Sequence, residues 1–205
     1  TETEESNSDA WLRGMELFTA HYLQPLARDI HAQLHPDLVV FASPYAVANR
    51  TRYGTHEWIV PSLYAGLWEQ TLTAWAPDLD TVALQDSTGA LGNSFADVRA
   101  LLGNLSAAVA RTNRSAWTNV ELFEVWPRSC EWPDECHGRH PAPFERIRQQ
   151  LENEAPLLVG PDAKIIAWEW SSCLSPTAGN GAAFPEANRA NYAAYKAYYS
   201  AGLVS

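Results

Sequence analysis

Four short apolar runs alternate with amphipathic stretches along this chain, and that alternation constrains the fold more than any other feature. The runs are DLVVFASP, DTVALQD, WTNVELFEVW and AKIIAWEW, each nearly all apolar before it turns polar at its C-terminal end. Strands buried on both faces read this way. A helix is expected before the first run, over residues 11–34, where Trp11, Met15, Phe18, Tyr22, Leu26 and Ile30 recur at helical spacing behind the cap candidates Asn7, Ser8 and Asp9. Further helices are expected over 57–75, over 95–111, in PFERIRQQLENE and in EANRANYAAYKAYYSAG, the last stopped by Gly202. Strands that each precede a helix imply an α/β fold with a parallel sheet.

Two parallel architectures compete. A doubly wound sheet needs a glycine-rich phosphate turn after a strand, and none follows any of the four runs. In a TIM-type (β/α) barrel the working residues sit at the C-terminal ends of the strands. Here those ends read SPY, QD, NVELFE and WEW, a collection of carboxylates, amides and aromatic rings. A complete barrel has eight units and takes ~250 residues; this chain has 205 and shows four. The expectation is one domain, residues 1–205, forming the last four β/α units of a (β/α)8 barrel. The N-terminal half would be cut away or supplied by another chain. The rival reading is a four-stranded α/β domain complete in itself.

Composition limits the partners. A net charge of -10 with no Lys/Arg run argues against nucleic acid. The apolar runs are strand-sized, too short to span a bilayer, so no membrane partner is expected. Of three cysteines, Cys130 and Cys136 flank the short loop CEWPDEC, which suggests a local disulfide and export, and leaves Cys173 a free thiol. Sequons beginning at Asn49, Asn104 and Asn113 are compatible with a secreted protein. Cys136, His137 and His140 offer a zinc-dependent hydrolase as an alternative, but their spacing matches no common zinc site. No metal and no cofactor is expected.

Strand parity selects candidate site residues. In WTNVELF, Thr118, Val120 and Leu122 belong against the helices, which turns Trp117, Asn119 and Glu121 inward. In IIAWEW the inward set is read as Ile165, Ala167 and Glu169, leaving Ile166 and Trp168 outward. Glu121 and Glu169 would then face one ligand from adjacent strands, and glycoside hydrolysis needs two carboxyl groups flanking the scissile bond. Glu121 is expected to stay ionised, with Glu169 near enough to raise its partner's proton affinity. Gln85 and Asp86 end the second strand and enter the loop STGALGNS. Asp86 binds sugar hydroxyls in one reading and caps the loop as an Asx turn in the other. Tyr45 and Asn119 join the substrate-binding set. Nine tryptophans are many for this length, and Trp126, Trp132, Trp168 and Trp170 gather at strand ends or in the long loop, where flat rings stack on sugars. Glu124 reads as a rim residue, and Glu2, Glu4 and Glu5 lie in the acidic opening TETEE.

The strings SPY, PSLYAGLWEQTLTAWAPDLDTVALQDSTGA, WTNVELFEVWP, RIRQQL and KIIAWEWSSCLSP resemble a domain-of-unknown-function family of uncharacterised glycoside-hydrolase-type barrels, over most of the chain. VALQDSTG and NVELFE are its most specific parts. In that family a half-barrel precedes these motifs and ends in a strand bearing a Tyr and a nearby Glu, and TETEE looks like the tail of that strand. The resemblance implies a carbohydrate-active barrel with an acid on strand four and a nucleophile on strand seven. That makes Glu121 the nucleophile and Glu2 or Glu4 the acid/base. No Asn-Glu pair occurs in the opening segment, a departure from the pattern. The substrate would be an oligo- or polysaccharide; the alternative is a carbohydrate-binding barrel without catalysis.

Overall fold

The computed structural model describes residues 14, 17, 19–46, 72, 80–112, 114–125, 139–175 and 185–202. The helix expected over 57–75, apart from helical Leu72, the residues Glu2, Glu4, Trp126 and Trp132, the Cys130–Cys136 pair and two of the three zinc candidates, Cys136 and His137, lie outside these residues.

Helix α1, Gln24–Asp29, is flanked by π-helical turns at Thr19–Leu23 and Ile30–Leu34. Strand β1, Phe41–Ala42, and strand β2, Thr81–Gln85, follow. Helix α2, Phe95–Val109, starts where Ser94 Oγ accepts the Asp97 N–H at 3.1 Å, the side-chain cap that opens a helix. Next come β3, Ser115–Glu121, β4, Phe123–Val125, β5, Arg139–Pro141, and helix α3, Phe144–Glu154. Strand β6, Ile165–Trp168, the short α4, Trp170–Cys173, and the terminal helix α5, Pro185–Ser200, complete the order. Gly202 follows α5 at φ 68°, the left-handed position a helix stop requires.

The main sheet has the order β1-β2-β3-β6, all neighbours parallel and sequential, with no switch point. A parallel sheet built from units in sequence is what the alternating runs imply. Among the described residues it is an open four-stranded sheet. The third apolar run does not stay in one strand: after Leu122 the chain leaves the sheet, and β4 pairs antiparallel with β5 in a separate ribbon.

One face of the sheet carries the helices. Val82 and Leu84 of β2 and Ala116 of β3 pack on Leu101, Leu102 and Leu105 of α2. Val120, Leu122, Ile165 and Ala167 pack with Ile147 and Leu151 of α3 and with Tyr198 of α5. Each fully buried Val, Leu or Ile among them contributes roughly 1.5–3 kcal/mol by leaving water. Buried Cys173 joins the second group.

These contacts correct the parity of the last strand. Ile165 and Ala167, expected inward, face the helices; the register pairs Thr118 with Ile165 and Glu121 with Trp168, so Ile166 and Trp168 share the opposite face with Asn119 and Glu121. Glu169 is not a strand residue. It stands beyond β6 with left-handed backbone, φ 67°.

At the other end of β3 the chain turns tightly at Gly160, φ +101°, where a Cβ would stand 2.6 Å from the Arg114 carbonyl oxygen and from Ser115 Cα. Gly160→Ala is expected to cost on the order of 1–3 kcal/mol, through strained φ and a clash that involves backbone. Urea denaturation at fixed pH checks it, and an unchanged midpoint would show that the turn gives way freely.

Candidate functional site

The register brings together, on the face away from the helices, residues far apart in sequence. Tyr45 bridges to Gln85, Gln85 pairs with Asn119, and one step further along Glu121 pairs with Trp168. Tyr45 is 56% exposed and Trp168 45% exposed, whereas Asn119 and Glu121, between them, are buried. The result is a polar floor with an aromatic ring on either flank, at the C-terminal ends of parallel strands, where α/β folds place their ligands.

The floor is held by short-range bonds. Gln85 Nε2 donates to the Ser43 carbonyl at 2.7 Å. Asn119 Nδ2 reaches Ser43 Oγ at 3.5 Å, and Asn119 Oδ1 has no hydrogen-bond partner despite its burial. A buried acceptor left open on a ligand-facing surface is ready to take a hydroxyl donor.

Glu121 is 1% exposed, covered by the loop that follows β2. The Ala90 N–H donates to its Oε2 at 2.6 Å, and the Gly89 N–H is a second donor. Gly89 itself is demanded by packing: a Cβ there would meet the Phe123 carbonyl oxygen at 2.0 Å and Glu121 Oε2 at 3.1 Å. Two residues at this rim hold positive φ without being glycine, Ser87 at 55° and Glu169 at 67°. Such conformations store strain, and they cluster where function overrides local preference.

Burial raises the Glu121 carboxyl to a pKa of about 7, and the neighbouring charge of Asp86 adds to the rise, while the Ala90 and Gly89 amides and Arg146 oppose it. The like charge thus comes from Asp86, the role the sequence had assigned to Glu169. A carboxyl near 7 is also not the permanently ionised group expected at this position.

Asp86 requires a second correction. It is fully buried, and its side chain turns toward the helix layer, where Gln150 Nε2 donates to Oδ2. Sugar hydroxyls cannot reach it. The Thr88 N–H donates to Oδ1 at 3.2 Å, the Asx-turn geometry. Parity carried the signal: Asp86 falls on the same side as Val82 and Leu84.

Sequence reasoning missed Gln150, Glu154 and Arg146 of α3. Gln150 and Glu154 are both wholly buried, and they share the apolar face of the helix with Ile147 and Leu151. Polar residues at such positions are the signal that was available. Arg146 Nη2 donates to the carbonyls of Glu121, at 2.9 Å, and Phe123, at 2.7 Å, and its Nε lies 3.1 Å from Glu124 Oε1. It clamps the point where β3 gives way to β4.

Of the other candidates, Trp170 meets the terminal helix edge-on, its ring centroid 5.5 Å from that of Tyr195 and 6.3 Å from that of Tyr192. That anchors it to α5. The His140 ring is turned toward Glu124, with Nε2 3.9 Å from Oε2, and among the described residues no group of three or more His, Cys, Asp or Glu is arranged to hold a metal ion.

The sequence model of a family described as Domain of unknown function (DUF4434) matches residues 3–180. No curated protein matches the chain significantly. Among solved structures, a protein from Bacteroides thetaiotaomicron VPI-5482 described as a "putative alpha-L-fucosidase" superposes with a TM-score of 0.66 at 18% identity. The superposition covers 87% of this chain and 50% of that one, so the chain spans about half the length of its structural neighbour. Likeness at this identity is likeness of fold.

Proposed function

The chain belongs to the DUF4434 family, and from that premise we propose that it is the part of a carbohydrate-active barrel that carries a proton-transferring carboxyl of a glycoside hydrolase. The observation that carries the reading is Glu121, a carboxyl at a strand's C-terminal end, buried under two amide donors and raised to a pKa of about 7. A carboxyl poised there exchanges protons at neutral pH, as a general acid in glycoside cleavage must. This reverses the role implied by resemblance alone. Glu121 acts as acid/base, and an ionised partner carboxylate completes the pair from outside the described residues, with Glu2 and Glu4 as the candidates. In the complete protein the open sheet is one side of a (β/α)8 barrel. The fold likeness to the Bacteroides protein supports it, without transferring fucose specificity.

Trp168 and Tyr45 flank the floor and stack on sugar faces in this reading, while Asn119 Oδ1 accepts a hydroxyl. The test is hydrolysis of an aryl-glycoside panel by the full-length protein, with binding to the same glycans followed by calorimetry. Hydrolysis of one glycoside supports the reading. Binding without turnover favours a carbohydrate-binding barrel, to which the two exposed rings would contribute equally. Neither binding nor turnover removes both. For a substrate that is turned over, Trp168→Ala is expected to raise KM about tenfold with kcat changed far less, the loss of roughly 1.4 kcal/mol of stacking contact. A kcat collapse at constant KM would contradict a binding role for the ring.

A further inference from the structure

Arg146 of α3 stands where the chain leaves β3, and the hydrogen-bond pattern between β2 and β3 accounts for an arginine at that point. In a parallel pair the bonds are evenly spaced, so every second N–H of one strand meets every second carbonyl of its neighbour. The pattern is intact as far as the Asp86 N–H, which donates to the Asn119 carbonyl at 3.2 Å. Two further steps would take the Thr88 N–H to the Glu121 carbonyl and the Ala90 N–H to the Phe123 carbonyl.

Both donors go elsewhere. The Thr88 N–H turns back to Asp86 Oδ1 at 3.2 Å, and the Ala90 N–H goes to the Glu121 carboxyl, 2.6 Å from Oε2. Pairing then resumes one residue out of step. The Val125 N–H donates to the Gly89 carbonyl at 3.2 Å, where the unbroken pattern would reach the carbonyl of Ala90. The two carbonyls that lose their strand donors both accept from Arg146 Nη2, Glu121 at 2.9 Å and Phe123 at 2.7 Å. One terminal guanidinium nitrogen carries two hydrogens, one for each. Glu124 Oε1, 3.1 Å from Arg146 Nε, ion-pairs with the same guanidinium.

We propose that Arg146 is a positioning residue for Glu121: it stands in for the two strand donors that the loop after β2 withdraws, which releases the Ala90 amide to hold the carboxyl while the strand end stays fixed. The inference rests on the reading of Glu121 as the acid. Glu121 and Phe123 are both buried, and a buried carbonyl without a donor is costly. With Arg146 gone there are two remedies. Either Thr88 and Ala90 return to strand pairing, which takes the amide off the carboxyl, or the end of β3 shifts until water reaches its carbonyls. Both displace the Glu121 carboxyl from its place at the rim.

The experiment reads the full-length protein without substrate, by NMR and amide hydrogen exchange. In the wild type the two Arg146 Nη2 hydrogens should be separately resolved and coupled, across their hydrogen bonds, to the Glu121 and Phe123 carbonyl carbons. A freely rotating guanidinium overturns the inference, and no variant is needed to see it. In Arg146→Ala, exchange at the Ala90 amide should quicken about tenfold, the net worth of one hydrogen bond, while the amides of Val82 and Leu84 within β2 keep their wild-type rates. Ala90 protection that survives the substitution overturns it. So does a rise spread evenly along β2, because a merely stabilising residue loosens the whole sheet. On a glycoside the protein cleaves, Arg146→Ala should lower kcat about a hundredfold with KM near wild type, the cost of a reacting group displaced by about 1 Å. Wild-type kcat in the folded variant, or a rise in KM alone, also overturns it. The couplings and the local loss at Ala90 in a protein that cleaves no glycoside sink the proposed function alone, and turnover without them sinks this inference alone.

Discussion

Glu121→Gln in the full-length protein is expected to lower kcat by two to four orders of magnitude, the usual worth of a general acid, while stabilising the fold at alkaline pH. The substitution keeps the shape of the side chain, and its amide oxygen accepts the Ala90 N–H as the carboxylate oxygen does. What it removes is the ionisable proton. Glu121 binds that proton more tightly folded, at a pKa of about 7, than at the ordinary carboxyl value of 4.5 that holds in the unfolded chain. For a raised carboxyl the linkage runs in one direction: its contribution to stability is complete below pH 4.5 and is lost as pH rises to about 7 and beyond. The loss is on the order of 3 kcal/mol. Denaturant titrations at pH 5 and pH 8.5 should therefore show a pH-dependent loss in the wild type that is reduced by about that amount in the variant. In the enzyme assay, activity should decline on the alkaline side as Glu121 gives up its proton near pH 7. Wild-type turnover by Glu121→Gln would remove the acid role. An unchanged pH dependence of stability would remove the buried, proton-retaining environment, independently of any substrate.

Gly89→Ala is the second large effect expected, and it arises from a single methyl group. A Cβ at this position meets the Phe123 carbonyl oxygen at 2.0 Å, an approach no structure tolerates, and the atom it meets belongs to the backbone. The loop must lift or β4 must move. Either movement pulls the Gly89 and Ala90 amides off Glu121 and strains the bond from the Val125 N–H to the Gly89 carbonyl, 3.2 Å. The expected outcome is loss of detectable turnover with destabilisation of about 1–3 kcal/mol. Gly160→Ala makes an informative control, since it introduces a comparable clash at the opposite end of β3. It should cost stability and leave kcat near wild type. If Gly89→Ala behaves like Gly160→Ala, retaining its activity, the loop does not organise the site.

The parts of the site legible in the sequence were those where one strand face differs from the other. In β3 and the residue after it, Thr118, Val120 and Leu122 marked the helix side, and the structure packs Val120 and Leu122 against α3 and its neighbours, so Glu121 was readable as a residue of the other face. In β6 the run IIAW is apolar on both parities and offers no contrast, and the inward set was assigned the wrong way round. Two-sided burial erases the period-two signal that register depends on. The same blindness hid the end of the strand: nothing in WEW announces that Glu169 adopts a left-handed backbone and leaves the ladder.

What the sequence determined by itself was the set of parallel units, their order and the face on which Glu121 stands, because these follow from local periodicity and from strand–helix alternation. The tertiary structure alone decided the protonation chemistry. Asp86 and Glu121 are 35 residues apart in sequence, and Glu154 is a further 33 beyond; only the packing of α3 onto the sheet buries Asp86 and Glu154 on one side and brings Arg146 to the Glu121 carbonyl at the end of β3. A pKa is set by burial and by the charges within a few ångströms, neither of which a linear pattern encodes. The chain therefore announces which carboxyl stands at the rim, and the fold decides that it holds a proton near neutral pH.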